Sequence, residues 1–156
     1  MNKLKYLGYS IVFQEVPNEV SLAINISGCP YKCRGCHSEY LWEYKGNYLC
    51  DDLFGLIEKY KGLITCVCFM GGDQNPSDLL YCFHIVKQFG LKICLYSGND
   101  DETSLAQLAS HCDYLKVGHY DEHLGGLDSP TTNQKFYSRL VNTDRFVETT
   151  SLFRRR

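Results

Sequence analysis

A chain of 156 residues, 44% of them hydrophobic and 22% charged, has the make-up of one globular unit and is too short for two comfortable cores. Its formal charge of -2 and pI near 6.2 carry no basic excess, which argues against a broad phosphate-binding surface and so against a nucleic-acid partner. No run approaches the roughly 20 apolar residues of a membrane span, and Met1-Asn2-Lys3-Leu4-Lys5-Tyr6 lacks the apolar stretch of an export signal, so a cytoplasmic chain without membrane attachment is expected.

Tyr9 to Val16 and Val20 to Ser27 are rich in β-branched and aromatic residues and read as strands joined by a Pro17-Asn18-Glu19 turn. The segment Gly28-Cys29-Pro30-Tyr31-Lys32-Cys33-Arg34-Gly35-Cys36-His37 follows the second strand directly. Leu53, Phe54, Leu56 and Ile57 suit one helical face, so Asp51 to Tyr60 reads as a helix that Gly62 can stop. Ile64 to Met70 is an almost wholly apolar run, typical of a parallel strand buried on both faces, and Gly71-Gly72-Asp73 ends it.

Asn75-Pro76-Ser77-Asp78 is a helix start, with Asn as N-cap, Pro at the first helical position and an acid in the first turn. That helix is expected to run to about Phe89, with Gly90 ending it. Leu91 to Tyr96 reads as the next strand, Thr103 to His111 as a helix, Tyr114 to Val117 as a strand and Arg145 to Glu148 as a short last one. Arg154-Arg155-Arg156 is the one basic run and reads as a solvated terminus. Strands alternating with helices imply right-handed crossovers and a mostly parallel sheet, hence the α/β class. A full eight-unit barrel takes roughly 250 residues, so the expected architecture is a partial, incomplete TIM-type barrel: one curved sheet, open on one side, in a single domain spanning 1–156.

Nine cysteines, an odd count without an export signal, point to reduced thiols with one metal-binding subset rather than a disulfide framework. Cys29, Cys33 and Cys36 have the spacing C-x3-C-x2-C on a loop that follows a strand. Thiolates are soft ligands that suit iron-sulfur clusters or zinc. A four-iron cluster ordinarily takes four cysteines, so three leave one iron with an open position, as catalytic zinc sites keep one for substrate. The alternative is a zinc-binding interaction module with His37 or Cys50 as fourth ligand. His37 directly follows Cys36, which makes chelation of one ion by both awkward, and paired C-x2-C knuckles are absent.

In Gly71-Gly72-Asp73 the glycines let backbone approach a ligand and the carboxylate can accept charge-assisted hydrogen bonds from an ammonium group; a turn before a helix is the plainer meaning. Ser97-Gly98, and His119 after Lys116-Val117-Gly118, fall at strand ends where ligands bind in parallel α/β folds. A plain turn and a solvated histidine are their alternatives. Cys66 and Cys68 share a strand face and read as small buried apolar residues, as do Cys82, Cys94 and Cys112. Trp42, Tyr40 and Tyr44 either cover the cysteine loop from water or simply pack the core.

In these residues the chain resembles the radical S-adenosylmethionine superfamily. The resemblance implies a four-iron four-sulfur cluster on Cys29, Cys33 and Cys36, which are at once the metal ligands and the catalytic residues. S-adenosyl-L-methionine is then the cosubstrate, its amino and carboxylate groups filling the open iron position. An electron from the reduced cluster cleaves a carbon-sulfur bond, giving methionine and a 5'-deoxyadenosyl radical. Gly35, Cys36, His37, Gly71, Gly72, Asp73, Ser97 and His119 become the cofactor-binding candidates. The superfamily's Gly-Gly-Glu, which contacts the methionine amino group, appears here with the shorter Asp73.

Within the superfamily, Val20 to Ser27, His37-Ser38-Glu39 with Trp42 and Gly46, and Ser129-Pro130-Thr131-Thr132-Asn133-Gln134 are similar to the activating component of the anaerobic ribonucleoside-triphosphate reductase. The likeness covers essentially the whole chain and is looser at Asn133-Gln134. It implies an oxidoreductase that takes a hydrogen atom from a backbone glycine of the large catalytic subunit of that reductase, leaving a glycyl radical. An electron donor such as flavodoxin and a homodimer are further expectations. An activator of another glycyl-radical enzyme, such as pyruvate formate-lyase, would show the same cysteines on a longer chain. An open-sided barrel of this size suits a protein substrate better than a small molecule.

Overall fold

A computed structural model describes residues 3–36 and 38–155. Its elements are β1 (Lys5–Val12), β2 (Ser21–Ile26), β3 (Asn47–Tyr48), α1 (Leu49–Tyr60), β4 (Cys66–Met70), α2 (Pro76–Gln88), β5 (Lys92–Tyr96), α3 (Ala106–Ala109), β6 (Tyr114–Val117), β7 (Lys135–Arg139) and β8 (Phe146–Glu148). Short 3-10 turns cover Glu39–Leu41, Thr103–Leu105 and Thr150–Arg155.

All eight strands join one sheet in the order β3-β1-β2-β4-β5-β6-β7-β8, so the chain is α/β and the sheet is open, with β3 and β8 at its edges. The central pairs β2–β4, β4–β5 and β5–β6 are parallel. The flanking pairs β1–β2, β1–β3, β6–β7 and β7–β8 are antiparallel. The expectation of a mostly parallel sheet is therefore corrected: four of seven pairings run antiparallel. For β1–β2 and β7–β8 the cause lies in the connections, since a parallel neighbour needs a crossover of a dozen or more residues, whereas residues 13–20 and 140–145 only turn the chain back.

The parallel strands follow one another in chain order and alternate their side chains between two layers. Val67 and Phe69 of β4, Leu22 and Ile24 of β2, and Ile93 and Leu95 of β5 pack with Leu53 and Ile57 of α1 and with Phe83 and Val86 of α2. Phe69 and Phe83 meet edge to face at 5.2 Å. Each such fully buried side chain contributes about 1.5–3 kcal/mol. On the other face Ala23, Cys66, Cys68 and Cys94 lie beneath Val16, Phe136 and Phe153. All nine cysteines are free, and Cys66, Cys68, Cys82, Cys94 and Cys112 are buried, as their reading as small core residues requires.

Strands β3 and β7 were not expected, and two of the expected elements have other bounds. β1 starts four residues earlier than Tyr9 because its register on β2 pairs Tyr6 with Ile26 and Val12 with Ser21, which leaves residues 13–18 beyond the partner strand. The helix expected over Thr103 to His111 shrinks to a 3-10 turn and the four residues of α3. Leu105 and Leu108, with half-buried Ala109, anchor it in the core, too little apolar surface to hold a longer one.

Candidate functional site

The cysteine loop leaves the carboxyl end of β2 and is tied down at its base. Ser27 Oγ donates to Lys45 O (2.6 Å) and accepts from Lys45 N (3.1 Å), and Cys29 N donates to Leu41 O (3.0 Å). A turn from Cys36 N to Cys33 O (3.1 Å) curls the far end, and Ser38 N donates to Cys36 Sγ (3.3 Å). Gly35 has φ +75°, and a Cβ there would fall 2.5 Å from Glu122 Oε2. Only glycine lets the β6–β7 loop come this close, and Arg34 Nε adds an ion pair to Glu122 Oε1 at 3.2 Å.

Cys29, Cys33 and Cys36, all half-buried, line one cavity of about 170 Å³. Across it stand the ends of three central strands: Met70 of β4 with Gly71 and Asp73 beyond it, Tyr96 of β5 with Ser97 beyond it, and Lys116 of β6. Tyr31, Cys33, Gly98 and Tyr120 also line an adjoining outer cleft of about 620 Å³. These four residues thus border both spaces.

Asp73 is held from one side only. Its Oδ2 accepts from Tyr31 Oη (2.6 Å) and from Ser97 Oγ (2.9 Å). Its Oδ1 is buried and has no hydrogen-bond partner among the described residues, a state that costs free energy unless a water or a ligand supplies a donor. Burial and the Asp73 carboxylate push the Tyr31 hydroxyl above its ordinary range, so it stays a donor. Lys116 is the cation of the site. It is buried, with Nζ donating to Ser97 O (3.1 Å) and Gly118 O (2.8 Å). Burial holds its ammonium down at about 8, against Cys33, Asp73, Cys29 and Asp100, which favour the charge.

The expected site residues divide. Cys29, Cys33, Cys36, Gly71, Asp73 and Ser97 come together around the cavity. Gly72 does not: it is buried against the helical layer, where a Cβ would meet Ile26 Cδ1 at 3.0 Å and Leu79 Cδ1 at 3.1 Å. Gly35 shapes the loop from behind. His119 lies in the outer cleft that Cys33 also borders, outside the cavity lined by all three thiols, its Nδ1 2.9 Å from Asp100 Oδ2. His37 lies outside the described residues. Leu41, not Trp42, Tyr40 or Tyr44, closes the cavity on the loop side. Asn133 donates to His119 O (3.1 Å) and Gln134 to Gly118 O (3.4 Å), bracing the end of β6.

Sequence reasoning missed Tyr31 and Lys116. The signal for Lys116 was a charged residue inside the strand Tyr114-Leu115-Lys116-Val117, two positions on from Tyr114, which faces the cysteine layer.

Among the described residues, no three His, Cys, Asp or Glu side chains form a group that could hold a metal ion. The three thiols share a cavity rather than a point. Cys50, the other proposed zinc ligand, is engaged elsewhere, donating to Asp78 Oδ1 at 2.9 Å. No helix of the described residues is long and apolar enough to cross a membrane. No family model, curated protein or solved structure matches the chain.

Proposed function

We propose that this protein is a radical S-adenosylmethionine oxidoreductase that activates an anaerobic ribonucleoside-triphosphate reductase by taking a hydrogen atom from a backbone glycine of its large subunit. One observation carries the reading: three free thiols of a single loop face, across one cavity, a buried carboxylate oxygen that accepts no hydrogen bond among the described residues. Cys29, Cys33 and Cys36 would hold a four-iron four-sulfur cluster. When bound, that cluster supplies the electron that splits S-adenosyl-L-methionine into methionine and a 5'-deoxyadenosyl radical.

The residues of the chain bind and orient. Asp73 Oδ1 receives the ammonium of the methionine part, and the Lys116 ammonium stands at the same strand ends to face its carboxylate. Ile26, Leu41 and Met70 give the cavity an apolar wall that excludes water. The outer cleft, from Tyr31 and Cys33 to His123, gives an extended partner segment a way in.

We read the open sheet as a partial TIM-type barrel, because β2, β4, β5 and β6 follow in chain order with α1 and α2 packed on one face. Such a protein works as a single domain in the cytoplasm, with a reductant such as flavodoxin.

Anaerobic reconstitution with iron and sulfide, followed by electron paramagnetic resonance, tests this. A reduced four-iron signal that changes shape when S-adenosyl-L-methionine is added is expected, and mixing with the reductase should produce a glycyl doublet. Zinc in place of iron, or a cluster indifferent to the cosubstrate, would refute the chemistry. Cosubstrate cleavage without a doublet would refute the reductase and favour another glycyl-radical partner.

A further inference from the structure

We infer that Tyr31 is a positioning residue: together with Ser97 it occupies one oxygen of Asp73 and reserves the other for an ammonium group of the ligand. The inference rests on the function proposed above and assigns to this chain the means by which a short carboxylate is aimed.

An aspartate carboxylate turns readily about its last torsion and offers about four lone-pair directions. Two hydroxyl donors on the same atom remove that freedom. Tyr31 Oη at 2.6 Å and Ser97 Oγ at 2.9 Å both end on Oδ2, which turns Oδ1 into the buried space where it meets no donor of the described residues. Ser97 is itself fixed, its backbone N donating to Lys116 O (2.9 Å) and its Oγ accepting from Asn99 N (3.0 Å).

Tyr31 comes from the opposite wall, between Cys29 and Cys33, so the same contact that orients Asp73 also sets the distance between the thiol loop and the strand ends. Gly98 makes that reach possible: a Cβ there would fall 2.8 Å from Tyr31 Cδ2 and 3.0 Å from its Cγ. The two donors and the glycine beneath the ring form one device, whose output is a single free carboxylate oxygen. A group with several N–H donors and a positive charge satisfies it; a ligand without one leaves it unpaired.

The test is isothermal titration of anaerobically reconstituted protein with S-adenosyl-L-methionine and with its analogue lacking the α-amino group. Iron content of each variant checks that the loop still folds. Tyr31→Phe removes the hydroxyl and keeps the ring; Gly98→Ala displaces the ring and leaves both hydrogen-bonding groups intact. Each should weaken S-adenosyl-L-methionine about tenfold and change the analogue by less than about twofold. Combining Tyr31→Phe with Asp73→Asn should cost little more than Asp73→Asn alone, because the tyrosine acts through the carboxylate.

Equal loss for both ligands would mean that Tyr31 merely supports the loop, and unchanged affinity for both would mean that it does nothing; either outcome overturns the inference and leaves the proposed function standing. If wild-type protein carrying four irons binds neither ligand, the proposed function fails and the inference falls with it.

Discussion

Lys116 carries an ammonium group into a strand whose neighbours Leu115 and Val117 pack in the main core. Its depressed value gives a pH signature with a definite sign. With a folded value of about 8 against 10.5, the unfolded chain binds more protons between those limits, so this residue's contribution to stability rises with pH across that window. At pH 7 both states are protonated and the full cost, about 3 kcal/mol, is present. Urea unfolding of cluster-free protein should therefore show the gap between wild type and Lys116→Met shifting in favour of wild type by roughly that amount from pH 8 to 10.5; a gap independent of pH would contradict the burial argument. At this scale the sequence was partly legible. Cys29, Cys33, Cys36, Asp73 and Ser97, picked out by spacing and by their places at strand ends, which are local facts, share one cavity. Tyr31, whose role depends on Asp73 forty-two positions away, had no local signal. Gly72 and His119 fall outside the cavity that the three thiols line, because sequence order does not say which way a strand end turns.

Glu19 shows how a connection, not a strand, secures the opposite end of the sheet. The residue closes the turn after Val16 through its backbone N–H (3.2 Å to Val16 O), and its carboxylate gathers β4, β5 and β6. Oε1 accepts from Thr65 Oγ1 (2.7 Å), and Oε2 from Lys92 Nζ (2.9 Å) and the Tyr114 hydroxyl. Burial opposes its charge, but those three partners outweigh it and hold the carboxyl below its usual value of 4.5. A depressed carboxyl contributes stability above its unfolded value and loses it as pH falls through the folded one. Glu19→Gln should therefore cost about 2 kcal/mol at pH 7 and converge with wild type well below pH 4.5, which acid titration by circular dichroism would follow. Failure to converge would show the loss to be steric. At α2 the N-cap was read correctly, since Asn75 Oδ1 accepts from Asp78 N at 3.3 Å; Asn75→Ala should lower the melting free energy by about 1 kcal/mol. The β7–β8 hairpin was half missed, because Lys-Phe-Tyr-Ser-Arg has little apolar content and becomes a strand by pairing with β6, from Val117 opposite Lys135 to Tyr114 opposite Ser138.

The whole molecule is a sheet covered on both sides by different means: α1 and α2 on one, and on the other the segment around Val16 with the C-terminal turn that seats Phe153 on Phe136 at 4.9 Å. That second cover shields Cys66, Cys68 and Cys94 from solvent, and burial pushes the Cys66 and Cys94 thiols well above their ordinary range. In cluster-free native protein a thiol reagent should label Cys29, Cys33 and Cys36 quickly and spare these three. Phe153→Ala, at a cost of about 3 kcal/mol, should open them, and peptide mapping of the labelled sites decides it. The α/β class was legible because alternation along the chain reports it; the antiparallel flanks were not, because pairing direction is decided between segments. The cavity itself is assembled from two kinds of contact. Its thiols lie within eight residues of one another, whereas Asp73, Ser97 and Lys116 arrive from three strands brought side by side. On the proposed reading, holding iron is a task for a short length of chain and recognising the cosubstrate a task for the finished sheet. A nascent or strained chain would keep its metal after it had lost its partner molecule, and mild denaturant should uncouple the two in that order.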